Sequence, residues 1–298
     1  MKLSPAAVLL LLAAITISTP AQTPPKISWE EVDKALGRAG EERDGVYRVT
    51  FPRTDLNVRA GGVRVRAGLA LTSWVAFQPA HNVVMMMGDL VLTASELPSV
   101  TSRLVKSAIE ITAVHNHLAG ERPQVMYVHF HGHGEAGKLA AALRAALAAT
   151  ATPPDAPGGG AGPAAGGRLD PIQLSEILGL AGAERNGVVS FSVPRAEKIT
   201  AAGGVALGPR MGVATAINFQ SAGSGAAATG DFVLTATEVQ PVIRALHQHG
   251  IEVTSLHSHM LDDQPRLFFL HFWGRAPAAA LAEGLRAALD VTAHAKPR

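Results

Sequence analysis

Residues 109–131, IEITAVHNHLAGERPQVMYVHFH, return 142 positions later as residues 251–273, IEVTSLHSHMLDDQPRLFFLHFW. Each stretch is an apolar-rich run, a short turn carrying Gly, Asp or Pro, and a second apolar-rich run. That pattern predicts two strands joined by a turn. The strands are expected over 109–117 and 125–131, and over 251–259 and 267–273. His115, His117 and His129 in the first stretch match His257, His259 and His271 in the second.

The same shift holds in both directions away from this hairpin. Gly45-Val46 matches Gly187-Val188, Gly61-Gly62-Val63 matches Gly203-Gly204-Val205, and Phe77-Gln78 matches Phe219-Gln220. Gly88-Asp89 matches Gly230-Asp231, and Leu92-Thr93-Ala94 matches Leu234-Thr235-Ala236. No gap is needed from about Gly37 to Thr150. The chain is therefore an internal duplication. Two copies do not make a solenoid, so the modules are expected to pair with each other within the chain.

The rest of each copy can be read coarsely. A short helix near Trp29–Ala39, or Pro171–Leu180, comes first. Alternating strands follow over 46–51, 69–77 and 83–90, and over 188–193, 212–219 and 226–234. An amphipathic helix carries Leu97, Val100 and Leu104, matched by Val239, Val242 and Leu246. A last helix carries Leu139, Leu143 and Leu147, matched by Leu281, Leu285 and Leu289. The tail of each module is β-α-β-β-α. The fold class is thus α+β: two tandem homologous modules, each a mainly antiparallel sheet with helices on one face.

The flanks and the composition set further limits. Residues 1–21 read as a signal peptide: Lys2, an apolar run from Ala6 to Ile17, and small residues before Ala21. The run is shorter than the roughly 20 residues of a membrane span. The expectation is an exported protein, periplasmic or extracellular, with no transmembrane span in the mature chain. Module 1 is read over 27–150, a flexible Pro/Gly/Ala linker over 151–168, and module 2 over 169–294. Lys plus Arg number 26 against 24 Asp plus Glu, a net charge of +2, so no nucleic-acid footprint is present. There are no cysteines. Disulfides, thiolate chemistry and a lipid anchor are excluded, and any metal must bind through His, carboxylate, Met or carbonyl groups.

The histidines carry the chemistry. Positions i and i+2 of a strand share a face, so His115 and His117 project together. A turn centred near Gly120–Glu121 places His129 opposite about Ala113 and diagonal to His115, within reach of a common ion. Neutral imidazoles on one sheet face suit Zn above all, with Cu, Ni and Fe(II) also open. The competing reading is a structural polar cluster. Selective retention of the three histidines favours a site, because Leu118, Tyr127 and His131 drift to Met260, Phe269 and Trp273.

Possible additional residues are Glu96, Glu238, Arg53 and Arg195. The two glutamates suit a fourth ligand or a base, yet Thr93-x-x-Glu96 and Thr235-x-x-Glu238 are also capping-box patterns. The arginines suit an anion, or simple pairing with Asp55 and Glu197. Asp89 and Asp231 read as strand ends beside a glycine, fixing a turn. Glu121 and Asp263 read as solvated turn residues. Met85-Met86-Met87 is core filler rather than a copper site.

The segments Gly88-Asp89…Leu92-Thr93…Glu96 and His115-Asn116-His117…Pro123…His129 resemble the LppY/LpqO-like family of exported bacterial proteins. The second copy, from Glu238-Val239-Gln240-Pro241-Val242 to His257-Ser258-His259 and His271-Phe272-Trp273, resembles it more closely. The resemblance spans both modules and implies their architecture and export, but no activity. Two features depart from that family: the anchor cysteine of its lipoproteins is missing, and Ser258 stands where the pattern has Asn. The functional expectation is a protein binding a divalent transition metal through the repeated His-x-His…His cluster. The alternatives are a metal-dependent hydrolase and a non-catalytic envelope module.

Overall fold

The computed structural model describes residues 27–153 and 168–295. The leader read over 1–21 and most of the linker lie outside the described residues. Module 1 runs α1 (Trp29–Leu36), β1 (Glu41–Arg43), β2 (Val46–Pro52), β3 (Arg59–Ala60), β4 (Val63–Arg64), α2 (Ala67–Ala70), β5 (Thr72–Ala80), β6 (Val83–Thr93), α3 (Leu97–Lys106), β7 (Glu110–His115), β8 (Val125–Gly134) and α4 (Ala136–Leu147). Module 2 runs α5 (Pro171–Leu178), β9 (Ala183–Arg185), β10 (Val188–Pro194), β11 (Ala214–Ala222), β12 (Gly225–Thr235), α6 (Ala236–Gln248), β13 (Glu252–His257), β14 (Leu267–Ala276) and α7 (Ala278–Leu289). Two short 3₁₀ turns, Ala202–Gly204 and Pro209–Met211, precede β11.

Each module builds one six-stranded antiparallel sheet. The orders are β1-β2-β5-β6-β8-β7 and β9-β10-β11-β12-β14-β13, the same topology twice. The pleat sends alternate residues to opposite faces. From β6, Val84, Met86, Leu90 and Leu92 join Val128 and Phe130 of β8 against the helices. The helical layer answers with the expected stripes: Leu139, Leu143 and Leu147 on α4, and Leu281, Leu285 and Leu289 on α7. Burial of each such leucine is worth about 2 kcal/mol. No helix among the described residues is long and apolar enough to cross a membrane.

The opposite sheet faces meet across the module boundary, giving a helix–sheet–sheet–helix stack. Met85 and Met87 of β6 pack with Val233, Leu267 and Phe269 of module 2. Val91 and Tyr127 pack with Ala227 and Trp273. Between the sheets, each module sends the segment that follows its second strand toward the other. Leu69 of α2 packs in a cluster with Val188 and Ala227, and Met211 with Val46 and Ala76.

Polar contacts repeat this crossing in matched pairs. Gln78 Nε2 donates to the Ala206 carbonyl at 2.6 Å and its Oε1 accepts from Gly208 N at 3.0 Å. Gln220 Nε2 donates to the Arg64 carbonyl at 2.8 Å and its Oε1 accepts from Arg66 N at 2.9 Å. The edge strands β7 and β13 approach each other. There Thr112 Oγ1 donates to the His259 carbonyl at 2.7 Å, and Thr254 Oγ1 to the His117 carbonyl at 2.8 Å. These symmetric bonds leave the two copies related by a local twofold axis.

Candidate metal centre

The axis runs through the histidines. On β8 the register sets Ala113 and Asp89 on either side of His129; on β14 it sets Ser255 and Asp231 on either side of His271. His129 is therefore opposite Ala113, as the turn position requires. β7 and β13 end at His115 and His257. His117 and His259 lie one bend beyond, rather than on the strand as the sequence suggests. Their rings nevertheless reach the same space.

The six rings form one cluster drawn from both modules. His115 stacks on His257 with centroids 3.7 Å apart, His117 faces His271 at 3.7 Å, and His129 faces His259 at 3.7 Å. Tyr127 backs His117 at 3.5 Å and Phe269 backs His259 at 3.4 Å. The change from Tyr127 to Phe269 thus preserves an aromatic support. Three sets of donor atoms lie within 4.8 Å of one another. One is Asp89, His115, His117 and His129; the others are His115, His257 and His271, and His129, His257 and His259. Two of the three mix the modules, so donors from both copies enter common candidate sets beside the one set that lies wholly in module 1.

Asp89 and Asp231 correct the sequence reading. Both sit in mid-strand on the inner sheet face and point into the cluster. Asp89 Oδ2 lies 3.3 Å from His117 Nε2, and Asp231 Oδ2 lies 3.1 Å from His259 Nε2. His115 Nε2 and His117 Nε2 are 3.1 Å apart. Donors around one tetrahedral ion with bonds of about 2.0–2.1 Å stand about 3.3 Å apart. These three separations match that spacing, within donor sets whose atoms all lie within 4.8 Å of one another.

The glycines before these aspartates are equally specific. A Cβ at Gly88 would strike the Trp74 carbonyl, and one at Gly230 the Ala216 carbonyl. Their own carbonyls accept from the Nδ1 atoms of His129 and His271, at 3.2 and 2.8 Å. Gly212 does the same for His259 Nδ1 at 3.1 Å. An Nδ1–H given to a carbonyl fixes the tautomer that leaves the Nε2 lone pair free, the usual support of a metal-bound imidazole. The Nε2 atoms of His129 and His271 are buried with no hydrogen-bond partner, as are both ring nitrogens of His257 and one oxygen of each aspartate. Unsatisfied buried atoms aimed at one region are groups that an ion or an ordered water can satisfy.

The electrostatics agree. Burial, reinforced by the neighbouring imidazoles, lowers the pKa of His115, His117, His129 and His257 well below the ordinary range. Burial lowers His259 to about 3 and lowers His271 as well. All six rings are neutral at pH 7, the form that binds metal. Burial raises the Asp89 carboxyl, with help from Asp231, and raises Asp231 to about 6. A cation placed here would reverse both carboxyl shifts.

The remaining candidates lie elsewhere. Glu96 accepts from Thr93 N at 2.8 Å and pairs with Arg53 at 2.9 Å; Glu238 accepts from Thr235 N at 2.7 Å and pairs with Arg195 at 2.7 Å. Arg53 and Arg195 also hold Asp55 and Glu197 at 2.8 Å. These four residues are helix-start ion pairs, not ligands, because every one of their charges is already met. Glu121 and Asp263 are buried rather than solvated, accepting from Val125 N and Leu267 N across the turn. Met85 and Met87 are core residues.

A cavity of about 510 Å³ lies between the sheets and reaches Asp89, His117, His129, Asp231, His259 and His271. Its remaining wall includes Arg48, Trp74 and Arg210 at one side and Ser190, Asn218 and Thr229 at the other.

A family described as Domain of Unknown Function (DUF1259) matches residues 30–149 and 172–291. No curated protein matches the chain. Among solved structures, a trimeric bacterial microcompartment shell protein, PduB, aligns at 12% identity over 85% of this chain and 90% of that one, with a TM-score of 0.22. EtuB from Clostridium kluyveri aligns at 10% identity over 84% and 88%, with a TM-score of 0.20. Both scores are too low for these likenesses to bear on the chemistry. Two matches, one on each module and together covering most of the sequence, make the chain a member of the DUF1259 family.

Proposed function

We propose that this is an exported protein that binds a divalent transition metal at the shared His–Asp centre, with zinc the best fit. One observation carries the reading. Six imidazoles and the Asp89 and Asp231 carboxyls converge around the local axis, and the Nε2 atoms of His129 and His271, both ring nitrogens of His257 and one oxygen of each aspartate are buried without a hydrogen-bond partner. Nitrogen and carboxylate donors without thiolate suit Zn, and Cu, Ni or Fe(II) can use the same set. Export is the setting that residues 1–21 suggest, in keeping with the resemblance to the LppY/LpqO-like proteins. A structural polar cluster is the weaker reading, since the contacts within the cluster leave the Nε2 atoms of His129 and His271 and both nitrogens of His257 without a hydrogen-bond partner.

Elemental analysis of the purified full chain tests this proposal. The expected result is bound transition metal that falls in both His115→Ala and His257→Ala. Because these two rings stack at the axis, either substitution should disturb the whole centre rather than half of it. Protein without metal, and without a thermal shift on adding Zn, Cu, Ni or Fe(II), would reject the proposal.

The second reading, a metal-dependent hydrolase, is favoured by the cavity that opens onto the centre. A metal with a position facing that space would activate a water molecule there. Metal-dependent ester or amide hydrolysis that vanishes with His115→Ala would support it over simple binding.

A further inference from the structure

The two copies kept their histidines and aspartates but not the walls around them. Arg48, Trp74 and Arg210 occupy positions whose counterparts, 142 residues away, are Ser190, Ala216 and Gly68. All of these residues line the one cavity. Its symmetric centre therefore has asymmetric surroundings, cationic and aromatic toward one side and small or neutral toward the other.

The cationic side is built. The Arg48 guanidinium lies over the Trp74 ring, 3.9 Å from its centroid. Its NH1 donates to the Arg210 carbonyl at 2.9 Å, and among the described residues none of its hydrogen bonds goes to a carboxylate. Arg210 gives NH2 to Glu41 at 3.3 Å, while its Nε is buried without a partner. Burial and the like charge of Arg210 lower the Arg48 pKa to about 10, and Asp89 opposes them. Arg48 is still charged at neutral pH. Arg210 is thus paired with Glu41, but Arg48 has no carboxylate hydrogen-bond partner among the described residues, and the Arg210 Nε is left over beside the same cavity.

We infer that the cavity binds a small organic anion, a carboxylate or a phosphate ester, with its charged group at Arg48 and Arg210 and its remainder extending past the His–Asp centre toward Ser190 and Asn218. The role of the centre toward that molecule rests on the metal reading; the anion site itself does not. A cavity of about 510 Å³ is in the range of small-molecule sites. The flat, forked guanidinium on Trp74 suits a planar or tetrahedral oxoanion better than a lysine would.

The test is calorimetric titration of succinate and of inorganic phosphate into the full chain, both metal-stripped and zinc-loaded. Saturable binding to the metal-stripped protein is expected, with the tighter probe separating carboxylate from phosphate chemistry. Arg48→Met and Arg210→Gln should each weaken it about tenfold or more, with metal uptake unchanged. If one variant fails to fold, the other gives the same reading. Absence of binding to the wild-type chain, or undiminished binding by the folded variants, would overturn the inference. Arginine-dependent anion binding by a protein that takes no metal would leave this inference standing and remove only the metal reading.

Discussion

Removing any bound metal should make the fold acid-labile, and the size of the effect follows from the centre. The six clustered histidines have folded-state pKa values below the ordinary histidine range, His259 at about 3. An unfolded chain binds their protons near pH 6.5. Below that pH the unfolded state holds more protons than the folded one, so stability is lost as pH falls toward the folded values. Going from pH 7.5 to 5.5 costs a little over 1 kcal/mol for each ring whose folded pKa lies well below this range, on the order of 7 kcal/mol for His115, His117, His129, His257 and His259 together. Asp231 acts in the opposite sense: raised to about 6, it gains a proton in the folded state over this range. Asp231 returns roughly 1 kcal/mol. The net loss is several kcal/mol against a total stability of about 5–15 kcal/mol. Urea unfolding of the metal-stripped protein at the two pH values, followed by circular dichroism, measures it. Zinc-loaded protein should resist the change until protons displace the ion. Equal stability of the metal-stripped protein at pH 7.5 and 5.5, within about 1 kcal/mol, would refute the buried, neutral cluster.

Other substitutions separate fold from site. Arg53→Met strands the Glu96 carboxylate at the start of α3 and should cost about 3–5 kcal/mol, read by urea unfolding, with metal content unchanged. Gly230→Ala forces a methyl against the Ala216 carbonyl and shifts the support of His271. It should destabilise by about 1–3 kcal/mol and weaken metal binding, seen by thermal melts with and without zinc. Thr112→Val with Thr254→Val removes the two bonds that hold the backbones of His259 and His117 across the boundary. A loss of metal affinity of about tenfold is expected, measured by competition with a chromogenic chelator.

The hairpin and its register were legible in the sequence because a period of two and a Gly/Pro turn determine them. The partnership of His129 with Ala113 follows directly. The helix-start glutamates were also open to reading, since Thr-x-x-Glu has a local meaning that outweighs ligation. Asp89 and Asp231 were misread for a physical reason. β6 is buried on both faces, so VVMMMGDLVLT shows no alternation to tell which side Asp89 takes. The available signal was the exact repeat of Gly-Asp at the shift that repeats the histidines. How the two copies dock lay beyond a duplication pattern, because that pattern states likeness and not contact. The asymmetric wall was visible only as drift at Arg48, Trp74 and Arg210 until the cavity placed those residues together.

The most direct measurement is an anomalous difference map from crystals of the native chain, recorded at the absorption edge of the metal that elemental analysis finds. A peak between the two modules, bounded by His115, His117, His129, His257, His259 and His271 with Asp89 and Asp231 at its edge, is the predicted result. Density without any anomalous signal there after soaking in zinc, with the six rings hydrogen-bonded to one another or to water, would contradict it.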